Sequence, residues 1–169
     1  MKTRKMVTLG LLTAIALTIF MIESQIPPLT PVPGIKLGLA NIVTVFTVYA
    51  IGSREGLLVL CARVFLGAVF AGNFSTILYS GAGGLAAILV TIGLKKILRE
   101  DQLFIAGILG AVAHSLGQMG MAILIAGTPS LALYLPVMLL CSMVTGCFTG
   151  FCAQFVLKRG KKLWKTISR

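Results

Sequence analysis

The chain has 169 residues, 57% hydrophobic and 11% charged, with a net charge of +11 and a mean hydropathy of +1.01. Soluble domains are about 25% charged, so this composition excludes an ordinary soluble domain and points to a membrane protein. A single aspartate, Asp101, and three glutamates, Glu23, Glu55 and Glu100, exclude catalysis by clustered carboxylates, including Asp-rich sites for Mg²⁺-diphosphate.

Six apolar stretches predict an all-α integral membrane domain over residues 1–169. Span one is Met6–Ile22. Basic residues precede it as in a signal peptide, but no small-residue cleavage site follows, so it reads as a retained helix. The segment Glu23–Gly34 carries four of the six prolines, Pro27, Pro28, Pro31 and Pro33, and reads as an ordered loop. Span two is Ile35–Ile51, closed by a polar turn at Gly52–Gly56. The stretch Leu57–Leu94 holds one charge, Arg63. As one helix it would be about 57 Å long, nearly twice the hydrocarbon thickness. A break at Gly72-Asn73-Phe74-Ser75 divides it into spans three (57–71) and four (76–94). Span five is 103–126, span six 131–157, and a basic tail occupies 158–169.

Charge sets the orientation. Lys2, Arg4, Lys5, Arg54, Lys95, Lys96, Arg99, Lys158, Arg159, Lys161, Lys162, Lys165 and Arg169 fall on one side, thirteen of the fifteen Lys and Arg residues. The positive-inside rule then puts both termini in the cytoplasm and makes this a multi-pass protein of the cell membrane. The same pattern, basic residues at the ends of apolar spans, favours the lipid bilayer as partner and argues against nucleic acid. The cysteines Cys61, Cys141, Cys147 and Cys152 read as small buried hydrophobes, and Tyr79 and Tyr134 as interfacial anchors.

An ionisable group inside a span costs about 2.5–3.5 kcal/mol on insertion scales. Arg63 therefore clamps helices together or binds an anion. His114 and Gln118 share a helix face, with Gly107, Gly110 and Gly117 near it, for close helix approach or for ligand space. A lone histidine does not make a metal site. Lys36 and Asn41 stand at the outer mouth of span two, Asn73 in the break between spans three and four, and Glu23 and Gln25 beside the Pro-rich loop. Lys36, Asn41, Arg63, Asn73, His114 and Gln118 are the candidate substrate-binding residues. Lys36 and Arg63 would carry an anion in an outward-facing, positively lined hollow. In span one, Gly10 and Ala14 have small-xxx-small spacing, which serves packing inside the bundle or docking of a partner.

Three segments are similar to the Gx transporter family, also labelled heptaprenyl diphosphate synthase component I: Pro33–Asn41, Gly72–Ser75 running on to Ser80–Gly84, and Gly110–Gln118. With Gly10–Ala14 and the Pro-rich loop, they resemble the substrate-binding S components of energy-coupling-factor transporters. The resemblance implies a six-helix S-component bundle. It also implies a pocket near the outer side gated by Glu23, Gln25, Pro27, Pro28, Pro33 and Gly34, and docking through Gly10 and Ala14. The implied partners are a transmembrane T component and cytoplasmic ATPase subunits. ATP is used by those partners; this chain lacks the P-loop sequence and is expected to bind no cofactor or metal of its own. The main expectation is therefore a non-enzymatic S subunit of an importer, capturing a small anionic or polar molecule, vitamin-like or related to prenyl, quinone or flavin compounds. The alternative is a noncatalytic membrane assembly subunit of a prenyl, quinone or flavin-linked redox system. A lipid-directed enzyme is the third reading, with His114 as its sole candidate group.

Overall fold

The structure is a computed structural model that describes residues 3–26, 36–72 and 74–160. Among these residues every regular element is helical. The helices are α1 (Thr3–Glu23), α2 (Asn41–Ala50), α3 (Ser53–Ala71), α4 (Ser75–Lys95), α5 (Leu103–Ala126) and α6 (Leu135–Arg159), with 3₁₀ turns at Glu100–Gln102 and Pro129–Tyr134. Among the described residues, four helical stretches are long and apolar enough to cross a membrane: Thr3–Glu23, Ser75–Lys95, Glu100–Ala126 and Pro129–Arg159.

The outer surface of the bundle is apolar, and its largely apolar interior also encloses polar side chains. Phe65, Phe70, Leu89, Leu124, Val144 and Phe148 are exposed, whereas Arg63, His114, Ser115 and Gln118 are buried. Lipid favours the first group and cannot satisfy the second. Three interior hydroxyls bond to their own helix: Thr47, Thr91 and Ser142 each donate to the carbonyl four residues back, which lets them be buried without an orphan group.

Lys5 pairs with Glu55 at 2.5 Å, so the starts of α1 and α3 lie together. Lys95 donates to the Val48 carbonyl, so the ends of α2 and α4 lie together. The start of α5 meets the later half of α6 through Phe104 and Gly150. The helices therefore alternate in direction. Apart from Lys36 and Arg63, the described basic residues gather at the end carrying Thr3 and Arg159, and Glu23 and Asn41 lie toward the other. α5 packs most extensively against α4 and α6. Glycines make this possible: β-carbons at Gly107 or Gly146 would collide with the backbone of the facing helix. Gly117 likewise lies against Ala82 and Gly83. These glycines serve close helix approach, not ligand space.

The boundaries differ from expectation in three places. Span two is a helix only over 41–50, about 15 Å by helical rise, half the hydrocarbon thickness. Residues 36–40 stay irregular because the Lys36 and Gly38 amides bond to side chains of other helices, and Gly38 holds φ +81°. The expected turn at Gly52–Gly56 gives way to the first turn of α3, which starts at Ser53. Span six is a 3₁₀ turn as far as Tyr134, and Pro136 then sits in the first turn of α6, where its missing N–H costs nothing. The breaks after α3 and α5 fall at Gly72 and Gly127, both left-handed, the usual helix-ending role of glycine.

Two side-chain expectations also change. Tyr79 is not an interfacial anchor; it is buried against Met119, Leu131 and Met138. Cys61 is exposed, and the other three cysteines are half-buried, so none is a core residue; an apolar thiol is tolerated on a lipid-facing surface.

Candidate functional site

A polar cluster lies inside the bundle where the end of α1, the segment before α2, and the middles of α3 and α5 meet. Glu23, the last residue of α1, is buried and accepts the Gly38 amide at 2.5 Å; the Leu39 amide also reaches this carboxylate. Lys36 donates from Nζ to Ser24 Oγ at 2.5 Å and from its backbone N–H to Gln118 Oε1 at 3.2 Å. Residues 36–40 thus form a strap, fastened to α1 by Glu23 and Ser24 and to α5 by Gln118.

Beneath the strap, the Lys36 ammonium stands 3.4 Å from the centroid of Phe20, and the Arg63 guanidinium 5.9 Å from the same ring. An aromatic ring attracts cations through its quadrupole, so Phe20 steadies two like charges that would otherwise repel. Gly67, one turn beyond Arg63 on α3, makes room for this ring: a β-carbon there would lie 2.9 Å from Phe20 Cε1.

His114 is packed on two sides by glycine backbone. A β-carbon at Gly83 of α4 would come 2.9 Å from His114 Cε1 and 2.7 Å from Gln118 Cγ. Gly38 of the strap contacts the opposite edge of the ring and the Asn41 amide. The expected open hollow is therefore filled around His114.

Hydrogen bonding in the cluster is incomplete. Arg63 Nε and Nη2, Gln118 Nε2, both polar atoms of Asn41, His114 Nδ1 and Thr44 Oγ1 are buried without a hydrogen-bond partner among the described residues. Buried polar groups are partnered in the great majority of cases, and an orphan costs about 1–3 kcal/mol, more for a charged group. Several orphans in one cluster point to a place prepared for something else.

Lys36, Asn41, Arg63, His114 and Gln118 are thus brought together, with Glu23 among them. Gln25 is exposed in the turn after α1 and stands outside the cluster. Asn73, Pro27, Pro28, Pro33 and Gly34 lie outside the described residues. Gly10 and Ala14 share an exposed strip of α1, and no atom approaches within 4 Å of a β-carbon at Gly10. Sequence reasoning missed Phe20, Thr44, Gly38 and Gly83 as site components. Phe20 looks like any apolar residue of a span. The glycines left a trace in the Gly38-Leu39-Ala40-Asn41 and Gly81–Gly84 runs, but their purpose emerges only when the helices are assembled.

A family model described as heptaprenyl diphosphate synthase component I matches residues 12–156. The chain belongs to that family. No curated protein and no solved structure gives a match. The stretch matched to heptaprenyl diphosphate synthase component I runs from α1 into α6 and includes every residue of the cluster. The name describes one component of a synthase, which is consistent with a system of several subunits.

Proposed function

We propose that this chain is a noncatalytic, membrane-embedded subunit of a prenyl diphosphate or quinone-related system, and that its buried cluster holds the polar end of a small anionic molecule. The observation that carries this reading is Arg63: a guanidinium buried in an apolar bundle with two nitrogens unpaired. A cation in that position at span depth is costly, and its usual justification is a functional partner. The family name supplies the prenyl setting. The noncatalytic role is supported by the acids. Glu23 is occupied with strap amides, while Asp101 and Glu100 sit at the start of α5, far along the helix from His114. The distribution of basic residues supports cytoplasmic termini and six crossings of the cell membrane, α2 and its strap together making the second.

A second reading is favoured by one feature. The cluster sits under residues 36–40, toward the end of the bundle opposite the other described basic residues, which is where a subunit capturing a molecule from outside would hold it. In that reading the chain is the S subunit of an importer, with a T component and ATPases as partners. Deleting the gene and measuring two outputs separates the readings. Loss of prenyl or quinone products with unchanged uptake supports the synthase-linked role. Loss of an ATP-dependent uptake with normal prenyl products supports the importer and overturns the first reading.

A further inference from the structure

The unpaired atoms of the cluster have a pattern that identifies the group they await. Nε and Nη2 lie on the same side of a guanidinium, the edge whose two parallel N–H bonds fit a two-oxygen anion. The other unpaired atoms of the cluster are rich in donors: Gln118 Nε2 and Asn41 Nδ2 donate, Asn41 Oδ1 accepts, and His114 Nδ1 and Thr44 Oγ1 can do either. Acceptor-rich ligands satisfy this set, and a cationic or donor-rich ligand leaves Arg63 unpaired. The formal charges narrow it further. Arg63 and Lys36 carry two positive charges, and Glu23, held by the strap amides, carries one negative. No contact ion pair joins Glu23 to Arg63 among the described residues, where the recorded pair is Lys5–Glu55. One positive charge is left over, and the Nε–Nη2 edge of Arg63 is unpaired.

We infer that the cluster binds a singly charged two-oxygen group, a carboxylate, held bidentately on the Nε–Nη2 edge of Arg63 with the Gln118 and Asn41 amides as flanking donors. This rests on the reading of the cluster as a ligand site and goes beyond it by naming the group bound. A diphosphate, with two or more negative charges, exceeds what the site can neutralise and is the group this inference excludes.

The test uses purified full-length protein in detergent. Its thermal unfolding midpoint is followed against sodium acetate, inorganic phosphate and pyrophosphate at matched ionic strength. Arg63→Lys keeps the charge and loses the fork, and Arg63→Gln loses both; each is first checked for helical content and monodispersity. The expected result is saturable stabilisation of the wild type by acetate, with the half-saturating concentration raised at least tenfold in Arg63→Lys and no saturation in Arg63→Gln. General salt effects act on all three proteins alike and cancel in the comparison. Equal acetate responses in wild type and both variants overturn the inference, as does an absent response in all three. Tighter saturation by pyrophosphate than by acetate also overturns it, while leaving the ligand-site reading and the prenyl setting intact. Should neither variant fold, ¹⁵N-labelled wild type gives the answer: acetate must shift one buried arginine Nε–H resonance, and an unmoved spectrum refutes the proposal.

Discussion

Gly38 lies against the imidazole of His114, so close that a β-carbon at position 38 would stand 2.7 Å from Cδ2 and 3.1 Å from Nε2. The contact joins the strap before α2 to the middle of α5 and closes one side of the polar cluster. It depends on glycine twice, for space and for the backbone at φ +81°, where a β-carbon is strained.

Gly38→Ala should therefore destabilise the protein by about 1–3 kcal/mol and displace the strap. Gly72→Ala is the control: its φ is +64°, but nothing lies within 4 Å of a β-carbon there, so it carries the backbone strain alone. Unfolding midpoints in detergent should fall further for Gly38→Ala than for Gly72→Ala; equal losses would mean that the His114 contact has no consequence.

Glu23 fastens the strap by accepting the Gly38 amide. Glu23→Ala removes that acceptor and leaves a buried N–H unpaired, costing about 1–3 kcal/mol. Glu23→Gln keeps an acceptor oxygen and should lose less. Hydrogen exchange at the Gly38 and Leu39 amides reads this directly: faster exchange in Glu23→Ala than in Glu23→Gln is expected, and unchanged exchange in both would remove Glu23 from the fastening.

Phe20 and Lys36 should be energetically coupled, because the ammonium stands 3.4 Å from the ring centroid. A cation over an aromatic face is worth about 0.5–2 kcal/mol, more when desolvated. Phe20→Leu should therefore cost more in the wild type than in a Lys36→Met background, where the apolar stem remains and the charge is gone. A double-mutant cycle on unfolding free energies isolates the difference. Strictly additive losses would show that the ring only fills space.

Leucine substitution tests the small-residue surfaces. Gly107→Leu must collide with the backbone of α6 around Gly146 and Gly150, so loss of the folded, monodisperse protein is expected. Gly10→Leu meets open space and should leave stability within about 0.5 kcal/mol. If α1 is where partner subunits attach, as the small-residue spacing suggests, Gly10→Leu should reduce their co-purification from the native membrane; full recovery of the partners would place attachment elsewhere.

Much of this architecture was legible in the sequence because lipid imposes simple rules. Helix α5 has the expected bounds, and glycine terminates α3 and α5 at the expected breaks, Gly72 and Gly127. Arg63, His114 and Gln118 stood out because polar groups at span depth are rare. The strap was not legible. By hydropathy Ile35–Ala40 looks like the start of a helix, and only the tertiary bonds from Glu23 and Gln118 hold residues 36–40 irregular. Phe20 and Gly67 were hidden for a related reason: an apolar residue in an apolar span carries no sign of which neighbour it serves. The burial of Tyr79 beside Met119 and Met138 depends on how α4, α5 and α6 meet, which periodicity alone does not fix.

Arg63 offers the sharpest contrast between a structural clamp and a ligand site. Breaking a buried ion-pair clamp by removing one partner costs about 3–5 kcal/mol, whereas replacing a buried charge that lacks an ion-pair partner by an apolar side chain removes a desolvation cost that nothing offsets. Arg63→Leu should accordingly unfold no earlier than the wild type when both are stripped of ligand. Native mass spectrometry of the two proteins, gently purified from their own membrane, tests the central claim most directly. The account predicts a small anionic molecule retained by the wild type and missing from an intact, folded Arg63→Leu. The same bound molecule in both, or none in either, would contradict it.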